Sequence, residues 1–194
     1  MQETTTLSPR PATATRAAPA PIEIRPVMAA DLPAVTAIQA EGIRRGAASP
    51  VATPLELRQV TALRERLVVQ GYPCLVAVHE GRVLGFAFAQ PLGEREAWRA
   101  AVEGIVAVHP EAAGQGIGRA LLAALIAGCE ARGFRQMIAV IAADAAGEAM
   151  VALHESLGFA HAGILRGVGL RLGAPVDSLL MQRALGAAAK TGSA

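Results

Sequence analysis

The run HPEAAGQGIGRALLAALI, residues 109 to 126, constrains this chain most, because it joins a strand ending at Ala107-Val108 to a glycine-rich turn that opens directly into a helix. Gly114, Gly116 and Gly118 leave backbone N–H groups open to close approach, and the helix they start adds the positive end of its dipole. Such a turn is an anion site that suits a pyrophosphate. Spacing excludes the two commonest nucleotide loops. A nucleoside-triphosphate P-loop ends in Gly-Lys-Ser/Thr, whereas Gly118 is followed by Arg119 and Ala120. A Rossmann turn needs a small residue three places after its second glycine, where this chain has Arg119 or Leu121 depending on the pair chosen.

Composition narrows the class further. The 194 residues suffice for one core of roughly 160 residues with tails. A net charge of +2, spread along the chain, and 3% aromatic residues argue against a nucleic-acid surface and against base-stacking platforms. Cys74 and Cys129 lie outside any Cys-x-x-Cys spacing, and the four histidines form no paired spacing, so no metal is expected. The two thiols read as buried groups of a reducing, cytoplasmic compartment. The longest apolar stretch, Ala120 to Cys129, falls short of the roughly 20 residues of a membrane span. Residues 1–21, dominated by Ala, Thr and Pro, have no hydrophobic centre and are expected as a disordered tail rather than an export signal. Residues 186–194 read likewise, which leaves one domain at 22–185.

Inside that domain the pattern alternates strand and helix. Ile22 to Arg25 has period two, and Asp31 is expected to cap a helix running to about Arg45. Thr53-Pro54-Leu55-Glu56 combines a capping-box pair with proline at the first helical position, and Gly71 closes that second helix. Cys74 to His79 and Arg82 to Ala89 form a hairpin about Glu80-Gly81. A strand over Val102 to His109, the long helix ending near Gly133 and a strand over Gln136 to Ala142 imply a parallel strand pair. A helix over Glu148 to Leu157, ended by Gly158, and strands around Phe159 to Val168 and Val176 to Ala184 complete the order β-α-α-β-β-β-α-β-α-β-β.

The glycine turn resembles the acetyl-CoA motif of the GNAT N-acetyltransferases, Arg/Gln-x-x-Gly-x-Gly/Ala, with Ala113, Gly116 and Gly118 at its fixed places and Ala113 departing from the pattern. Further strings are similar to the phosphinothricin and methionine sulfone acetyltransferase branch: GYPCLVAVHEGRVLGFA from Gly71, EREAW from Glu94, VEGIVAVHP from Val102, LHESLGF from Leu153 and GILRGVGLRLGAPVD from Gly163. The resemblance covers about residues 22 to 185 and implies an α/β fold, a mixed central sheet flanked by helices. It implies direct acetyl transfer from acetyl-CoA to the primary amine of a small, amino-acid-like molecule, in a homodimer. Cofactor contacts are then expected from Val106, Ala107 and Val108 and from Ala113, Gly114, Gln115, Gly116, Ile117, Gly118 and Arg119. The final strand around Ser178 to Met181 is compatible with a dimer interface, although core packing explains it equally well.

The chemistry follows from the reaction. An attacking amine must arrive unprotonated, although a free alkyl ammonium has a pKa near about 10.4. Glu103, at the start of the strand before the glycine turn, is the candidate general base acting through water, and the resemblance places the family's base in the same Val-Glu pair. A solvated strand-end carboxylate is the plainer reading. The resemblance also places a backbone N–H around Val106 or Ala107, at a bulge that splays two strands, against the developing oxyanion, and His154 beside the cofactor sulfur as a proton donor. A helix histidine bonded to a backbone carbonyl accounts for His154 equally well, and His79, His109 and His161 read as structural. Arg95 and Trp98 match a substrate-binding string of the branch, yet they sit in a charge cluster typical of a solvated face. Several family side chains are absent: Ala107 stands for a tyrosine, Pro175 for a tryptophan, AASPVA from Ala47 for a string with Phe and Glu, and AADAAGEAM from Ala142 for one with Asn and Ser. These losses keep open an alternative, a weakened acyl-CoA or small-ligand sensor on the same fold.

Overall fold

The computed structural model describes residues 21–45, 53–145, 147–171 and 173–186. The elements, in chain order, are β1 (Glu23–Pro26), α1 (Leu32–Arg44), α2 (Leu57–Val69), β2 (Cys74–His79), β3 (Arg82–Pro91), β4 (Ala101–Val108), α3 (Ile117–Glu130), β5 (Gln136–Ala142), α4 (Glu148–Glu155), β6 (Ala160–Arg171) and β7 (Ala174–Ala184). They form one sheet in the order β1-β2-β3-β4-β5-β7-β6, antiparallel at every step except β4–β5. The expected element order and the parallel central pair are therefore present. The tails expected at residues 1–21 and 186–194 lie outside the described residues except for Pro21 and Gly186.

Two apolar layers sandwich the sheet. In α3, Ile117, Leu121, Leu122, Leu125, Ile126 and Cys129 recur at helical spacing and are at most 4% exposed, packed with Ala87, Ala89, Val102, Met137, Ala139 and Ile141 from the sheet. Burying each leucine contributes about 1.5–3 kcal/mol, so this helix fixes the glycine turn at its start to the sheet beneath. On the other face α1 turns Leu32, Val35 and Ile38, and α2 turns Val60 and Leu67, onto Val76, Val78 and Phe86. Cys74 and Cys129 are free and buried, and burial pushes their thiols up to about 11 and about 12. No helix among the described residues is long and apolar enough to cross a membrane.

Local signals held where they were self-contained. Glu80 and Gly81 both take positive φ, 49° and 78°, as the two-residue hairpin turn requires. Gly158 closes the turn after α4 with φ 82°. The helix starts differ in detail. Asp31 holds the N-cap position of α1, as expected, but its side chain makes no capping hydrogen bond to that helix; its carboxylate accepts the Met28 N–H at 2.7 Å and a two-point contact from Arg25 at 2.7 and 2.8 Å, closing the 3₁₀ turn that precedes the helix. The Arg25 guanidinium holds the Asp31 carboxyl below the usual carboxylate range. α2 begins at Leu57, not at Pro54, with Gln59 Oε1 accepting the Glu56 N–H at 2.8 Å. Val60 and Leu67 are its buried residues.

Candidate active site

The parallel pairing of β4 and β5 covers Ala101, Val102 and Glu103 opposite Gln136, Met137 and Ile138, and then stops. Beyond this point the strands part. Gly104 sits at the fork, where a Cβ would lie 2.9 Å from Met137 Sδ, so the missing side chain leaves room for Met137. The β3–β4 register runs unbroken from Val102 to Val108, so no bulge at Val106 or Ala107 produces the split; it arises from β5 diverging.

Ladder alternation identifies the backbone groups that face the gap. His109 N–H donates to Leu84 O at 2.7 Å, so Ala107 and Ile105 also turn their N–H and C=O towards β3, while Val106 and Val108 turn theirs towards β5. The ideal Cβ position of Gly85 lies 2.8 Å from Ala107 O, in keeping with this parity. On the opposite wall, Leu185 N–H to Arg135 O and Ala143 N–H to Asp177 O, both 2.9 Å, tie odd-numbered β5 residues to β7, leaving the backbone of Val140 facing the gap. Of the two amides expected as oxyanion donors, Val106 N–H faces the cleft and Ala107 N–H belongs to the β3 ladder. Two open strand edges can take an extended amide chain between them.

The gap opens into a cleft of about 340 Å³. Its lining divides by sheet face. Ala113, Gly118, Met150, Leu153 and His154 close the side of α3 and α4, whereas Ile38, Gly42, Ile43, Phe86, Ile105 and Ala107 close the side of α1. At the α3 end, Gly114 and Gly116 take φ of 76° and 80°, and a Cβ on either would meet nothing within 4 Å. Gly116 is the N-cap, and its carbonyl accepts the Ala120 N–H at 3.0 Å, so the N–H groups of Ile117, Gly118 and Arg119 have no partner within the helix. The Ile117 side chain is core, so its contribution to the turn is its backbone. Gln115 lies on the surface with Nε2 donating to Glu111 O at 3.3 Å. Arg119 donates to Ser156 O and Oγ at 3.2 and 2.5 Å, locking the start of α3 to the end of α4.

Glu103 is half-buried in the cleft wall. Its cross-strand partner Gln90 donates Nε2–H to Oε2 at 2.8 Å, which fixes the carboxylate and leaves Oε1 without a protein partner among the described residues. His154, in α4, is 2% exposed and meets Phe159 edge-on at 4.8 Å. Its Nδ1 lies 2.8 Å from Met150 O, which can only accept, so Nδ1 carries the hydrogen and Nε2 is a bare acceptor with no partner. Burial holds its pKa below the usual histidine value, against the smaller effect of that bond. To act as a proton donor at Nε2, His154 must first take a proton up against its burial.

Arg95 and Trp98 are not brought to the cleft. The Arg95 guanidinium stacks over the Trp98 ring at 4.7 Å in the exposed β3–β4 connection, and neither residue lines the gap. Gln90, Gly42 and Phe86, which do line it, were missed by sequence reasoning. Gln90 is visible once β3 is registered on β4, and Gly42 carries the one local sign, a glycine inside a helix.

A mixed sheet forked between its parallel central strands, with an anion-binding helix start on one side and an apolar chamber on the other, defines a transferase for CoA-carried acyl groups. The chain belongs to the acetyltransferase (GNAT) family, whose model matches residues 44–159. It is 42% identical over 164 residues to the phosphinothricin N-acetyltransferase of Alcaligenes faecalis, covering 84% of this chain and 83% of that protein. It is 36% identical over 160 residues to the L-methionine sulfoximine/L-methionine sulfone acetyltransferase of Pseudomonas aeruginosa, covering 82% and 92%. The crystal structure of a phosphinothricin acetyltransferase from Sinorhizobium meliloti in complex with AcCoA is similar at TM-score 0.81 and 38% identity, over 89% of this chain and 93% of that one. The fold and the family read from the sequence strings are thus borne out.

Proposed function

We propose that this protein acetylates the primary amine of a small amino-acid-like molecule, using acetyl-CoA, by direct transfer across the β4–β5 fork. The residues present suit that carrier: unpaired N–H groups with open space before them at the start of α3, open strand edges at Val106 and Val140, and an orphaned buried acceptor at His154 Nε2. When bound, acetyl-CoA supplies a thioester carbonyl open to attack by an amine. The start of α3 would hold the pyrophosphate by charge-assisted N–H contacts. Val106 N–H would oppose the negative charge that develops on the carbonyl oxygen. His154 Nε2 would accept a hydrogen bond from the carrier, Glu103 Oε1 would take the amine proton through water and pass it to solvent, and the thiolate released when the C–S bond breaks would take a proton from solvent.

The observation that carries the enzyme reading over the sensor is the Glu103 carboxylate, held by Gln90 inside the cleft with one oxygen free. A thiol-release assay with Glu103→Gln tests it. Turnover at neutral pH is expected to fall by about 10²- to 10⁴-fold with acetyl-CoA affinity kept, and part of the loss returns at higher pH as the amine arrives deprotonated. Equal turnover in both proteins at every pH would reduce Glu103 to a strand-end carboxylate.

The homodimer is proposed with a changed surface. Ser178, Leu179 and Met181 of β7 are buried in the core, at 1%, 7% and 0% exposure, so they form no interface. Edge strand β6 instead presents Ile164, Leu165, Val168 and Leu170, each 44–60% exposed, and a second copy covering them is the reading we favour. The buried, free thiols support a reducing, cytoplasmic setting.

A further inference from the structure

The β3–β4 pair sets three cross-strand couples on the α1 face of the sheet: Phe86 opposite Ala107, Phe88 opposite Ile105 and Gln90 opposite Glu103. The first two are apolar and pack in the α1 cluster; the third is polar and lines the cleft. Ile105 and Ala107 turn their backbone groups to β3, and the same alternation makes Gln90 and Glu103 a hydrogen-bonded couple of the ladder, so their main chains are fixed as well as their side chains.

The chemistry of this couple fixes which way the Gln90 amide points. An ionised carboxylate only accepts, so the amide end 2.8 Å from Glu103 Oε2 is Nε2, and the amide oxygen Oε1 lies at the other end. Neither Gln90 Oε1 nor Glu103 Oε1 has a protein partner among the described residues. The linked couple therefore offers the cleft two acceptor oxygens, one neutral and one charged. A cationic side chain in place of Gln90 would neutralise the carboxylate as it held it, whereas the amide orients it and leaves its charge for the reaction.

We infer that Gln90 is a positioning residue for proton transfer, which orients the Glu103 carboxylate and shares with it the water that relays the amine proton. This rests on the acyl-transfer reading of the fork, with Glu103 as its base. A water that donates one hydrogen to Glu103 Oε1 and the other to Gln90 Oε1 has only lone pairs left, so it meets the incoming amine solely as an acceptor. As the amine nitrogen bonds to the thioester carbon and the C–S bond breaks with its electron pair on sulfur, the N–H proton passes to the water oxygen and one water hydrogen passes to Glu103 Oε1. Gln90 neither gains nor loses a proton; it removes the orientations in which the water would offer the amine a hydrogen.

The experiment measures thiol release from acetyl-CoA, with phosphinothricin and methionine sulfone as acceptors. It compares wild type, Gln90→Met, Glu103→Gln, the Gln90→Met/Glu103→Gln double variant and the exchanged couple Gln90→Glu/Glu103→Gln. Gln90→Met is expected to lower kcat at neutral pH by about 10- to 150-fold, the scale of a hydrogen bond to a charged group, with both KM values within about twofold of wild type. In the Glu103→Gln background the same substitution is expected to cost less than about twofold, because it acts through the carboxylate. The exchanged couple is expected to exceed Glu103→Gln by about tenfold or more, since a carboxylate at position 90 reaches the same water. A Gln90→Met protein as fast as wild type, effects of Gln90→Met and Glu103→Gln that multiply, or an exchanged couple no faster than Glu103→Gln would each overturn the inference while leaving the base in place. The exchanged couple keeps both side-chain shapes and their hydrogen bond, so it decides the matter where Gln90→Met fails to fold. Wild type that transfers no acetyl group, or Glu103→Gln as fast as wild type at every pH, would overturn the proposed reaction and this inference with it.

Discussion

Replacing Gly118 with alanine adds one methyl group at the mouth of the cleft while leaving the free protein intact. The new Cβ would lie 3.4 Å from Leu153 Cδ2 and 3.6 Å from Val108 Cγ2, ordinary contacts, and position 118 is helical, where alanine exceeds glycine by up to about 1 kcal/mol. Thermal stability is therefore expected to hold or to rise by about 2–4 °C for a chain of this size. Binding is expected to move the other way. The methyl sits between the cleft-lining side chains of β4 and α4, in front of the first free N–H groups of α3, and a displaced charge-assisted hydrogen bond is worth about 1.5–3 kcal/mol. Acetyl-CoA affinity should fall by about 10- to 150-fold. Gly116→Ala gives the contrasting signature. Nothing lies within 4 Å of its Cβ, but φ is 80°, so the loss is backbone strain of about 1–2 kcal/mol, or roughly 2–8 °C. Thermal denaturation and calorimetry on both variants separate the two effects. A Gly118→Ala protein that melts like wild type and binds acetyl-CoA with wild-type affinity would remove the start of α3 from the site.

His154 gives a pH signature. Its folded pKa lies below the unfolded value of about 6.5, so between the two the unfolded chain binds more protons and stability rises with pH. The stabilising difference is complete above about 6.5 and is lost as pH falls through the folded value. Melting curves of wild type should fall more steeply from pH 7 to 5 than those of His154→Phe, and parallel curves would show that the imidazole is not held neutral. For β6, Val168→Asp puts a charge on a residue 60% exposed, and sedimentation is expected to show a dimer for wild type and a monomer of retained fold for the variant; a monomeric wild type would refute the edge-strand interface.

What the sequence disclosed depended on how local each determinant is. The Glu80-Gly81 hairpin and the glycine turn were legible because a few adjacent residues impose their backbone angles. The start of α2 was not, since Thr53/Glu56 and Glu56/Gln59 are both capping-box pairs three residues apart, and the local signal does not choose between them. The same division runs through the site. Glu103 is readable from its place before the turn, but its orientation comes from Gln90, thirteen residues earlier and opposite it through the β3–β4 register. Arg95 and Trp98 drew attention as a cation and an aromatic near the active strand, yet each is satisfied by the other on the surface.

The fork also explains why the alanines at the cofactor end need not abolish function. The groups assigned there to the carrier are mainly backbone: the N–H groups opening α3, the β4 edge at Val106 and Val108, and the β5 edge at Val140. A side chain such as the Arg or Gln missing at Ala113 can be lost from such a site without removing the cradle, whereas a side chain gained at Gly118 obstructs it. The α1 face has the opposite character, because the cleft there is walled by side chains such as Ile38, Ile43 and Phe86. Under the acyl-transfer reading proposed above, substitutions on this fold therefore have unequal consequences: main-chain geometry buffers cofactor use, whereas the α1 side responds to each change of side-chain volume.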